Sequence, residues 1–320
     1  MNKVERMQAV FAGQEPDRVP AGFWFHYPQG LSLEERAQAH VDLCRSVGTD
    51  IIKIMDDNFG RFFTQGIRIE KASDWRHIRL PGKDCAHYRH MTGLIQRILD
   101  KSGGEAMVFP TMWSPFKIAS FTYTDGGGTD QQFMAHCKED PASVLEGIRA
   151  LTETLQEWAR DYLELGSSGL YYSGQFSEPQ RFSEEEWARL VKPSDLAVLE
   201  VTKEIPGKYN IVHICGEMEF GFQSSPRRYG GYPGDLFNWD VHRAGLSLEE
   251  GRELFQKPIL GGLDNHGVLV EGSLEAIRQE TQKIIEAMGK RGFMLGADCT
   301  VPGEIDWARL RAAVEAAAEV

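Results

Sequence analysis

Short runs of aliphatic and aromatic residues alternate with longer polar stretches along this chain, and the alternation repeats eight times. The runs are residues 19–25, 50–56, 106–113 and 169–175, then 210–215, 237–240, 258–264 and 293–298. Each is short, rich in aliphatic or aromatic side chains, and followed by a polar or Gly/Pro segment, which is the pattern of a buried strand. Between them lie helical patterns. Residues 143–165 put Val144, Leu145, Ile148, Leu151, Leu155 and Trp158 on one stripe at three- and four-residue steps. Residues 273–291 repeat the device with Leu274, Ile277, Ile284, Ile285 and Met288, and Gly292 is placed to stop that helix. Ser183 with Glu186, and Ser247 with Glu250, have the spacing of capping boxes. The Ala-rich residues 306–320 predict a last helix.

Eight strands separated by helices predict a (β/α)8 TIM barrel rather than an open doubly wound sheet. No Gly-x-Gly-x-x-Gly follows the first strand, which weakens a dinucleotide-binding alternative. No linker-like tract divides the chain, so residues 1–320 read as one barrel domain with an N-terminal helical extension. In such a barrel the C-terminal ends of the strands converge on one face, and the chemistry sits there.

Composition narrows the function. With 35 basic and 47 acidic side chains the net charge is −12, the wrong sign for a groove that follows a phosphate backbone. No apolar run reaches the ~20 residues of a membrane helix, and no apolar segment follows the basic N-terminal residues, so a cytoplasmic location is expected. Five cysteines thinly spread over 320 residues suit a reducing compartment, where cysteine is filler, nucleophile or metal ligand.

The sharpest local feature is Val212-His213-Ile214-Cys215-Gly216 at the end of the fifth run. Residues two apart in a strand face the same side, so His213 and Cys215 present an imidazole and a thiol together, and Gly216 lets the chain turn away without crowding them. Cys299 closes the eighth run. One nitrogen and two sulfurs at a barrel mouth match a catalytic zinc site with its fourth position open. A His-x-Cys arises often enough by chance to carry little weight alone; the placement of all three residues at strand ends is what lifts them. Cys44, Cys85 and Cys137 lack that placement and read as structural.

Nearly end to end, the chain resembles the uroporphyrinogen decarboxylase superfamily. The resemblance is carried by Arg6 with Gly13-Gln14-Glu15-Pro16-Asp17-Arg18-Val19-Pro20, by Phe23-Trp24-Phe25-His26 and by Gly169-Leu170-Tyr171-Tyr172-Ser173. Gly261-Gly262-Leu263-Asp264 and the Pro302 turn continue it. It implies a (β/α)8 barrel. Decarboxylases of the superfamily are known for an Arg-Gln-Ala-Gly-Arg motif after the first strand and a Gly-His-Gly segment near the C-terminus. This chain has Phe25-His26-Tyr27-Pro28-Gln29-Gly30 and Ala297-Asp298-Cys299 instead, so the counter-ions for a polycarboxylate are missing. Asp56 or Asp57 matches at most the decarboxylase aspartate.

The other branch, similar to the methylcobamide:coenzyme M methyltransferases, has His-x-Cys followed far downstream by Cys. That motif falls on His213, Cys215 and Cys299. The resemblance therefore implies zinc on these residues, and a methylcorrinoid carried by a corrinoid-binding partner protein as co-substrate. It implies methyl transfer between the corrinoid and a small acceptor or donor, a thiol on the strength of the ligand set. Around the metal, His26, Asp57, Tyr172 and Gln175 are expected to bind substrate. Asp240, Asp264 and His266 are further strand-end candidates, Asp264 as a hydrogen-bond partner of a ligand or as fourth ligand. Each has a plain alternative as a packing residue or loop acid. Residues 229–239 are long for a strand-helix connection, and their aromatics read as a surface for the corrinoid protein or as a lid. The competing functions are a cofactor-independent tetrapyrrole decarboxylase and a non-catalytic zinc-containing binding barrel. A small-molecule substrate is expected, with no nucleic-acid or membrane partner; a homo-oligomer is left open.

Overall fold

All eight runs become strands: β1 (Ala21–Gly22), β2 (Ile51–Ile54), β3 (Met107–Trp113) and β4 (Gly169–Gly174), then β5 (Tyr209–Ile214), β6 (Leu236–Trp239), β7 (Ile259–Leu263) and β8 (Phe293–Ala297). The computed structural model describes residues 1–57, 68–216 and 222–319. Every pairing is parallel, and the order β1-β8-β7-β6-β5-β4-β3-β2 wraps the sheet into a (β/α)8 barrel. Strands flanked by barrel interior and helices are apolar on both sides, which is why runs such as Phe293-Met294-Leu295-Gly296-Ala297 are buried throughout.

The seam between β1 and β2 is closed by Asp50. Its backbone N–H donates to the Ala21 carbonyl at 2.8 Å, and its carboxylate accepts from the Ala21 N–H at 2.8 Å. A fully buried carboxylate needs paired charge, and Asp50 receives it from Arg6 at 2.6 Å and Arg18 at 3.0 Å. Arg6 also holds Asp17 at 2.7 Å. The N-terminal residues that carried the family resemblance thus tie α1 (Lys3–Phe11) to the barrel floor.

Around the barrel run α2 (Leu33–Val47), α3 (Ala86–Ser102), α4 (Pro115–Asp125), α5 (Asp130–Glu139) and α6 (Pro141–Glu164). They are followed by α7 (Glu184–Leu190), α8 (Lys192–Leu199), α9 (Leu248–Phe255), α10 (Val268–Glu271), α11 (Leu274–Met288) and α12 (Trp307–Glu319). The stripe expected on α6 is buried at Val144, Ile148, Leu151, Leu155 and Trp158, each side chain contributing about 1.5–3 kcal/mol by leaving water. Both expected capping boxes form, Ser183 with Glu186 and Ser247 with Glu250. Among the described residues no helix is long and apolar enough to cross a membrane.

Two local expectations need correction. Gly289, not Gly292, ends α11, because it is the first residue after Met288 free to take a φ of 68°. Cys137, read as structural, is buried inside α5. Residues 229–239 are not an exposed aromatic surface: Tyr229, Tyr232, Phe237 and Trp239 are all buried, the two tyrosines against Trp187. Between β5 and β6 the described residues carry only a 3-10 turn, Pro226–Tyr229, where the barrel pattern calls for an α-helix.

Candidate active site

His213, Cys215 and Cys299 come together. Each offers one ligand-type atom, and these atoms lie within 4.8 Å of one another. His213 Nε2 is 3.4 Å from the Cys299 sulfur. His213 and Cys299 are buried and Cys215 is half-buried, on the wall of a cavity of about 350 Å³ at the C-terminal end of the barrel. Gly216 serves a different need from the one anticipated. A Cβ there would stand 2.6 Å from the Asp240 Cβ, so glycine allows the chain leaving Cys215 to pass against the loop after β6.

The imidazole is oriented by a residue that sequence reasoning missed. His213 is paired in register with Asn238 on β6, and its Nδ1 lies 2.5 Å from Asn238 Oδ1. The Asn238 amide nitrogen donates to the carbonyls of Leu260 at 2.9 Å and Ala297 at 3.1 Å. That leaves Oδ1 as the acceptor, so Nδ1 carries the proton and Nε2 faces the sulfurs with its lone pair. Tyr171 adds a hydrogen bond from its hydroxyl to the same Oδ1 at 3.3 Å. The visible signal was a lone amide in the otherwise apolar run Leu236-Phe237-Asn238-Trp239, which a fully buried strand tolerates only with partners.

The cavity is one-sided. Its lining comes from the ends of β1 to β5, from α4 and from the segment after β8. His26, Asp57 and Gln175 line it as expected. His26 sits at the rim with Nδ1 2.7 Å from Asp57, and Asp57 is also paired with Arg36 of α2. Burial works against the Asp57 charge, but His26 and Arg36 outweigh it and hold the carboxyl below its usual range. Gln175 donates to the Ser173 hydroxyl at 3.3 Å. Trp113, at the end of β3, lines the cavity too; Lys53, Lys117, Trp24 and Tyr171 also line it and were not anticipated.

Tyr172, Asp240, Asp264 and His266 do not line it. Tyr172 occupies the opposite face of β4 from Tyr171, and its hydroxyl donates to Asp195 of α8 at 2.5 Å. The error is one of strand parity. Burial pushes Asp195 up to about 7, against hydrogen bonds from Tyr172 and Tyr232. Asp240 accepts from Arg243 at 3.2 Å, and Asp264 lies 3.5 Å from the same guanidinium nitrogen. Asp264 also accepts from the His266 backbone N–H at 2.8 Å, and His266 itself is exposed. Asp264 is thus committed to Arg243 and its own loop, and the orienting role anticipated for it falls to Asn238. Asp298 joins the cluster through His242 at 2.6 Å.

The remaining cysteines are buried away from the cavity. Cys44 donates to the Thr49 carbonyl and accepts from Lys3, Cys85 caps α3, and burial pushes the Cys137 thiol up.

The family model described as uroporphyrinogen decarboxylase (URO-D) matches residues 55–320. Among solved structures, the chain is similar to a methyltransferase from Methanosarcina mazei: TM-score 0.81 and 14% identity, covering 100% of this chain and 99% of that one. It is also similar to a B12-independent methionine synthase from Shewanella sp. W3-18-1, with a TM-score of 0.57 and 16% identity over 95% and 94% of the two chains. A putative B12-independent methionine synthase from Listeria monocytogenes gives 0.51 and 16% over 90% and 86%. At these identities the likeness is one of fold. No curated protein matches the chain.

Proposed function

The chain belongs to the uroporphyrinogen decarboxylase family, and from its cavity we propose that it is a methyltransferase that moves a methyl group between a corrinoid and a small thiol. The corrinoid is a co-substrate presented by a partner protein. His213, Cys215 and Cys299 would hold a zinc ion, and the donor set fits one. Three ligand-type atoms converge, two are soft sulfurs, and the imidazole lone pair is already turned toward them by Asn238. When bound, zinc would keep a sulfur substrate deprotonated at neutral pH, where a free thiol of pKa near 8.5 is mostly protonated.

Two thiolates and a neutral imidazole would leave a bound zinc ion with little net charge, so that a sulfur substrate would keep its electron density; three imidazoles would suit water activation better. In the transfer the sulfur lone pair forms the S–CH3 bond as the Co–CH3 bond breaks, and that bond's electron pair leaves with cobalt. The proton lost from the thiol passes to solvent. The reverse direction uses the same parts.

The convergence of His213, Cys215 and Cys299 on the cavity wall carries this reading. It is tested by metal analysis of protein purified without chelator, together with methyl transfer from methylcobalamin to 2-mercaptoethanol. Zinc near one equivalent, lost with the activity in Cys215→Ala/Cys299→Ala, is expected. Full activity in that variant would remove the proposal, as would coproporphyrinogen formation from uroporphyrinogen.

A further inference from the structure

β2 is buried at all four positions, yet its third residue is Lys53. Taking an ammonium out of water costs several kcal/mol unless an anion or strong acceptors repay it. Lys53 is 8% exposed. Its nitrogen lies 2.5 Å from the Met55 sulfur, 4.8 Å from the centre of the Tyr171 ring and 5.8 Å from that of Trp24. A thioether is a weak acceptor, and aromatic faces give only part of what water gave.

Among the described residues Lys53 forms no ion pair with a carboxylate. The two acids that follow it are engaged elsewhere, Asp57 by Arg36 and His26, and Asp56 within 3.5 Å of His87. Burial lowers the ammonium to about 8, and the negative charges that pull it back up are, in order, those of Cys299, Asp57, Asp56 and Cys215. Lys53 lines the same cavity as His213, Cys215 and Cys299, so its buried cation faces the space that a ligand of the candidate metal centre would enter.

We infer that Lys53 is a specificity-determining residue: it supplies the countercharge for an anionic sulfur ligand and makes the cavity prefer a thiolate to a neutral ligand. The inference rests on the function proposed above and deepens it. A divalent ion with two thiolates and a neutral imidazole has no net charge. A further thiolate then brings one uncompensated negative charge into a buried cavity, and Lys53 holds the positive charge that cancels it. Lys117, on α4 with its nitrogen 4.5 Å from the Phe121 ring centre, also lines the cavity.

The test uses full-length protein loaded with cobalt(II), whose visible absorption reports ligand exchange. Wild type, Lys53→Met, Lys53→Gln and Lys53→Arg are titrated at pH 7 with 2-mercaptoethanol and, separately, with imidazole. Both neutral variants are expected to load cobalt as the wild type does and to keep imidazole affinity. Thiol affinity should fall about tenfold or more, equivalent to about 1.4 kcal/mol, and Lys53→Arg should recover part of it. Unchanged thiol affinity in the neutral variants overturns the inference, and so does an equal loss for both ligands, which would mark a packing role. Failure of the wild type to take up zinc or cobalt would instead sink the metal centre itself, so the two failures are distinguishable.

Discussion

Two groups of ligand-type side chains sit at the C-terminal end of the barrel, and they are built on opposite plans. His213, Cys215 and Cys299 bring their atoms within 4.8 Å, and so do Asp240, His242 and Asp298. In the second group the charge is answered from within. Arg243 pairs with Asp240 and Asp264, and His242 pairs with Asp298 at 2.6 Å. The hydrogen bond to Asp298 raises the His242 pKa, while burial pushes Asp298 up to about 6 against that same bond. In the first group the outer shell is satisfied, through Asn238, while the imidazole Nε2 and the sulfurs face one another beside a cavity. The lesson is that proximity of ligand types does not by itself mark a ligand site. A network whose acids are met by Arg243 and His242 ties two loops together; an imidazole and two thiols gathered on a cavity wall face space that a ligand can enter.

The contrast breaks most directly by removing one member of each group. Cys299→Ala should abolish stoichiometric zinc and lower methyl transfer by at least about a thousandfold, since a buried site with two remaining protein ligands binds weakly. His242→Ala should leave zinc content unchanged and lower only thermal stability. Metal analysis and melting of both variants decide it, and loss of zinc in His242→Ala would erase the distinction.

The orienting shell is tested next. Asn238→Ala removes the acceptor that sets the His213 tautomer, and zinc affinity should fall about 10–100-fold, as for other second-shell partners, measured by competition with a chromophoric chelator. Unchanged affinity would mean that Asn238 only fills space.

Smaller effects separate the two tyrosines of β4. Tyr172→Phe should cost about 1–3 kcal/mol of stability by leaving the buried Asp195 short of a donor, with kcat and KM unchanged. The same carboxyl gives a pH signature. In the fold it keeps its proton up to about pH 7, whereas the unfolded chain loses it above 3.8. The unfolded state then binds fewer protons, so stability should fall as pH rises between those values. Asp195→Asn should flatten that part of the melting-temperature profile; an unaltered slope would place its origin elsewhere.

Much of the fold was legible because hydrophobic periodicity is a local property. All eight strands and the long helix α6 follow from which positions must leave water. Edges were less legible. β1 shrinks to Ala21–Gly22, while the Trp24 carbonyl accepts from Val301 beyond the end of β8, a partner no local pattern announces. At the site, His213, Cys215 and Cys299 could be named in advance because a strand end fixes which rim a residue reaches. Tyr172 could not be told from Tyr171, since a shift of one residue in a strand exchanges its two faces and aromatics suit both.

The order of the strands, the end of the barrel that gathers the polar residues and the identity of three ligand-type side chains were thus determined by the amino-acid sequence alone, because each follows from spacing along one chain. Only the tertiary structure decided that Asn238 orients His213, that Lys53 lies buried on the cavity the two cysteines line, and that Asp240, Asp264 and Asp298 pair with Arg243 and His242 instead of lining that cavity. Those facts depend on distances between strands and loops far apart in the chain. Charge pairing acts through space, and nothing in the linear order of residues records which partner each side chain will meet.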